Sequence, residues 1–197
     1  MQKRKFLFSV CLSVLLALLL ALPMLPVPVS GANSVTPDGL RYTVTNWWDG
    51  QDCVIISGHE GQATEIVIPA EIDGLPVKSI DAYAFSRHQT LTKVTLPDTI
   101  EEIGDGAFQH CVNLTQINFP DGLLSINEGA FQGCTGLTQI DLPNSLRNII
   151  NSAFRGCTGL TGVTIPCGVG PMAFADCTGL EYVELHGSMM WAAFSNC

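Results

Sequence analysis

The sequence predicts a β-rich solenoid, a right-handed leucine-rich stack of about six turns, each roughly 20–23 residues long. The dipeptide Ala-Phe recurs six times from Ala84 onward, and the positions of its phenylalanines increase by 23 three times and then by 20 twice. A cysteine lies three positions after five of these phenylalanines, and proline recurs at the same step of 23 from Pro97 to Pro166. Three markers with one period indicate a tandem repeat, whose turns bury a continuous core only when they stack.

Residues 1–32 have the pattern of a secretory signal peptide. Three cations precede an uncharged apolar run from Phe6 to Leu22, and prolines then interrupt the run. Small residues at Ser30 and Ala32 predict cleavage before Asn33. The alternative is an uncleaved signal anchor, because this run is longer than the usual ~7–15 residues. A bilayer span needs roughly 20 apolar residues, and no second apolar run of that length follows the leader, so we expect no membrane span in the mature chain.

Residues 33–61 are expected to form an N-terminal capping segment, and residues 62–197 the solenoid. We interpret Trp47 and Trp48 as aromatic residues that cover the core of the first turn, with a binding role as the alternative. The chain ends at Cys197, a core position of the repeat, without the polar segment that normally closes a solenoid. This ending favours a fragment of a longer protein, in which the solenoid continues beyond Cys197.

Each turn is expected to begin with one short strand. In the unit from Leu91 to Pro97, apolar residues alternate around Val94 and Leu96, which is the pattern of a strand with one buried face. The proline that follows ends the strand. The side chains between the buried ones then face outward and form a polar strip along one sheet, the surface that solenoids commonly use for binding. The alternative is an ordinary solvated sheet face. The predicted ligand-binding residues are Lys93, Thr95, Gln116, Asn118, Gln139, Asp141, Thr164, Tyr182 and Glu184.

The repeated cysteines are expected to form a packed column of free thiols, because side chains in register point in parallel and oppose the torsion of a disulfide. The column comprises Cys111, Cys134, Cys157, Cys177 and Cys197. Disulfides are the alternative, since a secreted protein permits them. Structural zinc needs ligand pairs at short spacing, which the long step of this repeat does not offer. The scattered histidines form no nucleophile–base pattern, so we expect no metal, no cofactor and no catalysis.

The unit Leu-x-x-[Ile/Val]-x-[Leu/Phe]-Pro, followed by isoleucines and Ala-Phe-x-x-Cys, has the size of a leucine-rich repeat. It closely resembles the BspA-like leucine-rich repeats from about Tyr42 to Cys197. The resemblance implies a secreted or cell-surface protein that binds a protein partner, such as a host or cell-surface protein, and mediates adhesion. The alternative is a structural spacer within a larger surface protein. Without the leader the chain has six cations against 18 acidic residues, and such a surface disfavours nucleic-acid binding.

The chain departs from the repeat at three places. His88 occupies the first cysteine position, three residues are missing after Pro166, and His186 replaces the expected proline of the last turn. These changes predict that the two C-terminal turns are the least regular and the least stable.

Overall fold

The computed structural model describes residues 33–197, so the predicted signal peptide lies outside the described residues. These residues form short β-strands and turns and contain no helix. The strands in chain order are β1 (Asn33–Val35), β2 (Leu40–Asn46), β3 (Asp52–His59), β4 (Glu65–Val67), β5 (Glu71–Ile72), β6 (Leu75–Ile80), β7 (Lys93–Thr95), β8 (Glu102–Ile103), β9 (Gln116–Ile117), β10 (Ser125–Ile126), β11 (Asn148–Ile149), β12 (Gly162–Ile165), β13 (Gly168–Val169) and β14 (Tyr182–Leu185). The predicted β-solenoid of about six turns is confirmed.

The strands that the sequence predicts at the start of the turns stack in parallel on one side of the solenoid, except that the segment before Pro143 forms no strand and makes only an isolated bridge at Gln139. Strands β4, β7 and β9 pair in register, so that Lys93 lies between Glu65 and Gln116. Farther along, β12 pairs with β14 over four residues, and a single bridge joins Gln139 to Gly162. This side carries the polar strip.

A second parallel sheet, which the sequence did not predict, lies on another side of each turn. It consists of β6, β8, β10, β11 and β13, and each of these strands ends in a buried Ile or Val. The antiparallel strands β1, β2 and β3 extend this sheet at the N-terminal end, because β3 pairs in parallel with β6. The hairpin therefore lies against the first turn, while the capping role expected for residues 33–61 stays a prediction.

A six-residue turn segment closes each repeat. The six segments, which we number first to sixth, are residues 82–87, 105–110, 128–133, 151–156, 171–176 and 191–196. Their backbone hydrogen bonds alternate between the same turn and the next one. In the third segment, Phe131 N donates to Ala153 O at 2.7 Å, whereas Cys134 N donates back to Phe131 O at 3.1 Å. This alternation satisfies the backbone without a regular strand.

The repeated phenylalanines form one stack through the core. Neighbouring rings from Phe85 to Phe194 lie 5.0–5.4 Å apart, with interplanar angles of 6–10°. The ring of Phe119, at a position that is Leu in neighbouring turns, meets Phe131 edge-on at 5.4 Å. The first five rings of the stack are almost completely buried and supply the largest apolar side chains of the core.

The column of free cysteines is confirmed, and all seven cysteines of residues 33–197 are free thiols. Each column thiol donates to the carbonyl oxygen of the phenylalanine in the preceding turn, at 3.0 Å from Cys134 to Phe108. Burial raises the pKa of Cys111 to about 11 and that of Cys177 to about 12. Protonated, buried thiols of this kind are poor nucleophiles.

Candidate functional site

The polar strip contains two adjoining depressions. The first, of about 680 Å³, is lined by Lys93, Thr95, Gln116, Asn118, Gln139 and Asp141 among others. The second, of about 350 Å³, is lined by Thr164 and Tyr182 and again by Gln139 and Asp141. The structure thus brings eight of the nine predicted residues to one continuous surface. Glu184 does not line either depression, but it accepts a hydrogen bond from Tyr182.

The alternation of the strands positions these side chains. Val94 and Ile140 point into the core and are buried, which turns the residues on either side of them outward. The parallel register then places equivalent side chains of neighbouring turns roughly 4.8 Å apart along the stack.

Three side chains in the middle of the strip are available to a ligand. Gln116, Gln139 and Asp141 are exposed, and their side chains make no hydrogen bond or ion pair with any of residues 33–197. Each carboxamide offers both donors and an acceptor, and the carboxylate offers acceptors only. Together they can bind peptide groups or polar side chains of a partner.

Asn118 has a structural role that the sequence did not reveal. Its amide nitrogen donates to Leu96 O at 2.8 Å, and its side-chain oxygen accepts from Leu96 N at 2.7 Å. The carboxamide therefore takes the place of a backbone partner where the pairing of β7 with β9 ends. Of the two amides in this turn, Gln116 is the one free to meet a ligand.

Charged side chains lie at both ends of the strip. Lys93 lies 3.9 Å from Glu65 at one end. At the other end, the Tyr182 hydroxyl donates to Glu184 at 2.7 Å, and His186 lies 3.1 Å from the same carboxylate. The hydrogen bonds from Tyr182 and His186 lower the pKa of Glu184, and the bond to Glu184 raises the pKa of Tyr182. All these groups are exposed, so their contribution to stability is small.

The interpretation of Trp48 as a cover of the first turn's core is wrong. The loop between β2 and β3 carries it outward, and 78% of its surface is exposed, whereas Trp47 is half-buried. The indole N–H of Trp47 donates to Glu101 at 3.0 Å, and that of Trp48 lies 3.4 Å from the same carboxylate oxygen. Glu101 also pairs with Lys78. Its pKa is raised by burial but lowered more by the bonds from Lys78 and Trp47, and the net shift is downward.

A third depression, of about 410 Å³, opens beside Trp48, away from the polar strip. This depression was not predicted, although the sequence carries a signal for it. Lys78, Glu101 and Arg147 occupy the same position of the 23-residue repeat, with Leu124 at that position in the turn between Glu101 and Arg147, and all four line this depression. Charged residues at three of four equivalent positions indicate that this face of the solenoid carries charged side chains close together.

Residues 33–197 contain no group of three or more His, Cys, Asp or Glu side chains arranged to hold a metal ion. Over the same residues there is no helix long and apolar enough to cross a membrane.

Comparisons with known proteins agree with this architecture. The family described as BspA type leucine rich repeat region matches residues 60–181 in six copies. Comparison with curated protein sequences gives no significant match.

Among solved structures, a leucine-rich repeat protein of T. pallidum is 35% identical over 76% of this chain and 71% of its own, with a TM-score of 0.69. One from Bacteroides ovatus is 33% identical over 77% of this chain, with a TM-score of 0.69, and the match spans 41% of its own length. A repeat protein from Eubacterium ventriosum is similar in fold, with a TM-score of 0.57, 23% identity and coverage of 77% of this chain and 41% of its own. On the family match and the T. pallidum similarity, the chain belongs to the BspA-type leucine-rich repeat family.

Proposed function

We propose that this protein is a secreted or cell-surface module that binds a protein partner through its polar strip and has no catalytic activity. Repeats of this family typically occur in surface or secreted bacterial proteins and are typically non-enzymatic. The observation that carries the proposal is the pair of adjoining depressions with Gln116, Gln139 and Asp141 unengaged between them.

The strip suits a polypeptide ligand. The side-chain amides of Gln116 and Gln139 have the donor and acceptor pattern of a peptide group, and they project from neighbouring regions of one stacked surface. Strands whose backbone is already paired lose little conformational entropy when a ligand binds, so the surface is preorganised. Asp141 adds a preference for an N–H donor or a cation from the partner.

The rival function is a structural spacer, in which the repeats only hold another part of a surface protein away from the cell. A spacer has no need of the three free side chains. Their removal therefore separates the two functions.

The test uses residues 33–197 and a triple variant, Gln116→Ala, Gln139→Ala and Asp141→Ala. Asn118 is left in place because its loss would disturb β7. A matched control removes two exposed amides and one acid elsewhere, Asn144→Ala, Asn148→Ala and Glu128→Ala.

Binding is measured by surface plasmon resonance against a panel of purified extracellular-matrix and serum proteins. We expect at least one protein to bind, the strip variant to lose about tenfold or more in affinity, and the control to bind as the parent does. Absence of binding across the panel, or binding that survives the strip variant, would contradict the proposal and favour the spacer.

A further inference from the structure

The depression beside Trp48 combines an exposed aromatic ring with three charged side chains, Asp98, Asp121 and Arg147, that make no hydrogen bond or ion pair with any of residues 33–197. It lies along the margin of the second sheet, where Lys78, Glu101, Leu124 and Arg147 occupy one position of four successive turns. From Lys78 to Arg147 there are three turns, or roughly 14 Å at the spacing of paired strands. The depression is thus elongated and can contact several units of an extended ligand.

Glu101 positions the aromatic ring. It accepts hydrogen bonds from both indole groups and pairs with Lys78, so the loop between β2 and β3 is tied to the second turn. Because the N–H of Trp48 is directed to Glu101, the exposed surface of its side chain is mainly the apolar ring. An exposed indole held in place by a hydrogen bond offers a flat apolar face on which a ligand can pack.

The polar groups around the ring include both acceptors and donors. Asp98 and Asp121, one turn apart, line the depression, and Arg147 lies beyond them. Within the part of the chain that the structure describes, these three side chains make no hydrogen bond or ion pair. The two carboxylates can accept hydrogen bonds from hydroxyl groups, and the guanidinium can donate to ring or hydroxyl oxygens.

From this arrangement we infer that the depression is a binding site for a neutral oligosaccharide. A pyranose ring has a flat C–H face that packs on an indole, and its rim of hydroxyl groups both donates and accepts hydrogen bonds. Asp98 and Asp121 disfavour anionic sugars and phosphates. Lys78 and Glu101 neutralise each other, and the unpaired guanidinium of Arg147 disfavours a cationic peptide side chain. Neutral hydroxyl groups can donate to the two carboxylates and accept from the guanidinium.

The inference is independent of the proposed protein-binding strip. The depression shares none of its lining residues with the strip, and the two surfaces belong to different sheets. A protein with both sites could hold a glycan and its carrier protein at once. Failure of one site in an experiment leaves the other to be judged separately.

The experiment titrates residues 33–197 with cellohexaose, maltohexaose, mannohexaose and chitohexaose by isothermal titration calorimetry. The variants are Trp48→Ala, Trp48→Phe and Asp121→Asn. Trp191→Ala is the matched control, because Trp191 is also exposed but lies in the sixth turn, outside this depression. The triple strip variant serves as a second control.

We expect saturable binding of at least one hexasaccharide, weakened about tenfold or more by Trp48→Ala and less by Asp121→Asn. Trp48→Phe should retain most of the affinity, because it keeps a flat ring. Trp191→Ala and the strip variant should bind as the parent does.

The inference is overturned if none of the four hexasaccharides binds, or if Trp48→Ala and Trp191→Ala bind equally well. It is also overturned if a short lysine-containing peptide binds in a Trp48-dependent manner while the saccharides do not. Because Trp48 is exposed, its substitution should leave the thermal unfolding of the solenoid unchanged, which checks that the variants are folded.

Discussion

The third and fifth turn segments have the same backbone conformation but fill it with different residues. In the third, the two left-handed positions are Gly129 (φ 60°) and Gly133 (φ 73°). In the fifth, the same positions are Met172 (φ 53°) and Asp176 (φ 61°). A side chain with a β-carbon costs roughly 1–2 kcal/mol in this conformation, less for Asp, whereas glycine adopts it freely. The middle of the solenoid is therefore built with less backbone strain than its C-terminal part.

The core shows the same contrast between the middle and the C-terminal end. Phe131 is fully buried and stacks on a ring on each side, while Phe194 is only partly buried and stacks on Phe174 alone. Cys134 is buried, whereas Cys197 is exposed. A residue of the repeat therefore stabilises the solenoid according to how many neighbouring turns it packs against, and not by its identity alone.

The largest expected effect comes from removing a ring in the middle of the stack. Phe131→Ala should lower the free energy of unfolding by roughly 3–5 kcal/mol, because it leaves a cavity between two stacked neighbours. Phe194→Ala, which removes a partly buried ring at the end, should cost less than half as much. Urea unfolding followed by circular dichroism measures both. Equal losses for the two variants would contradict the graded stability inferred here.

A smaller effect is expected in the cysteine column. Cys134→Ala should cost about 1–2 kcal/mol through a small cavity and the loss of the thiol's bond to the Phe108 carbonyl. Cys134→Ser should lower the free energy of unfolding by less than Cys134→Ala, because the serine hydroxyl can donate to the same Phe108 carbonyl. If no acceptor were present, the buried hydroxyl would make serine the more destabilising replacement.

Urea unfolding ranks the two variants of Cys134, and a serine variant less stable than the alanine one would show that the hydrogen bond does not form. Thiol titration of the parent provides the control. Only the exposed Cys197 should react rapidly in the native protein, and all seven thiols of residues 33–197 should react after denaturation.

The smallest expected effect concerns the left-handed positions themselves. Gly129→Ala should destabilise the protein by about 1 kcal/mol, since the added β-carbon meets its nearest side-chain atom at an ordinary 3.4 Å and only backbone strain remains. Met172→Gly should have the opposite sign and raise the unfolding midpoint slightly. Thermal unfolding of both variants tests the pair, and two shifts in the same direction would refute the difference in strain between the third and fifth turns.

The sequence predicted the strands of the polar strip because alternation and proline define them locally. It did not predict the second sheet, whose strands span only two residues in most turns and show no alternation. The role of Asn118 was also missed, since its partner Leu96 is close only after the turns stack. Trp48 was misjudged because its placement depends on Glu101, which lies 53 residues farther along the chain. Local patterns therefore predicted the elements, while contacts between turns determined what each exposed side chain does.

The alternating hydrogen bonds of the turn segments have a consequence for how such proteins can change in length. The bonds between turns join each segment only to the segments directly before and after it, so the loss or duplication of one unit leaves every remaining junction of the same kind. The shortened unit after Pro166 illustrates the tolerance, since Phe154 N still donates to Ala173 O at 2.7 Å across the shorter step. Loss or duplication of a unit would shorten or lengthen the polar strip in increments of about 4.8 Å. The number of repeats thus sets the length of the polar strip, independently of which side chains each turn carries.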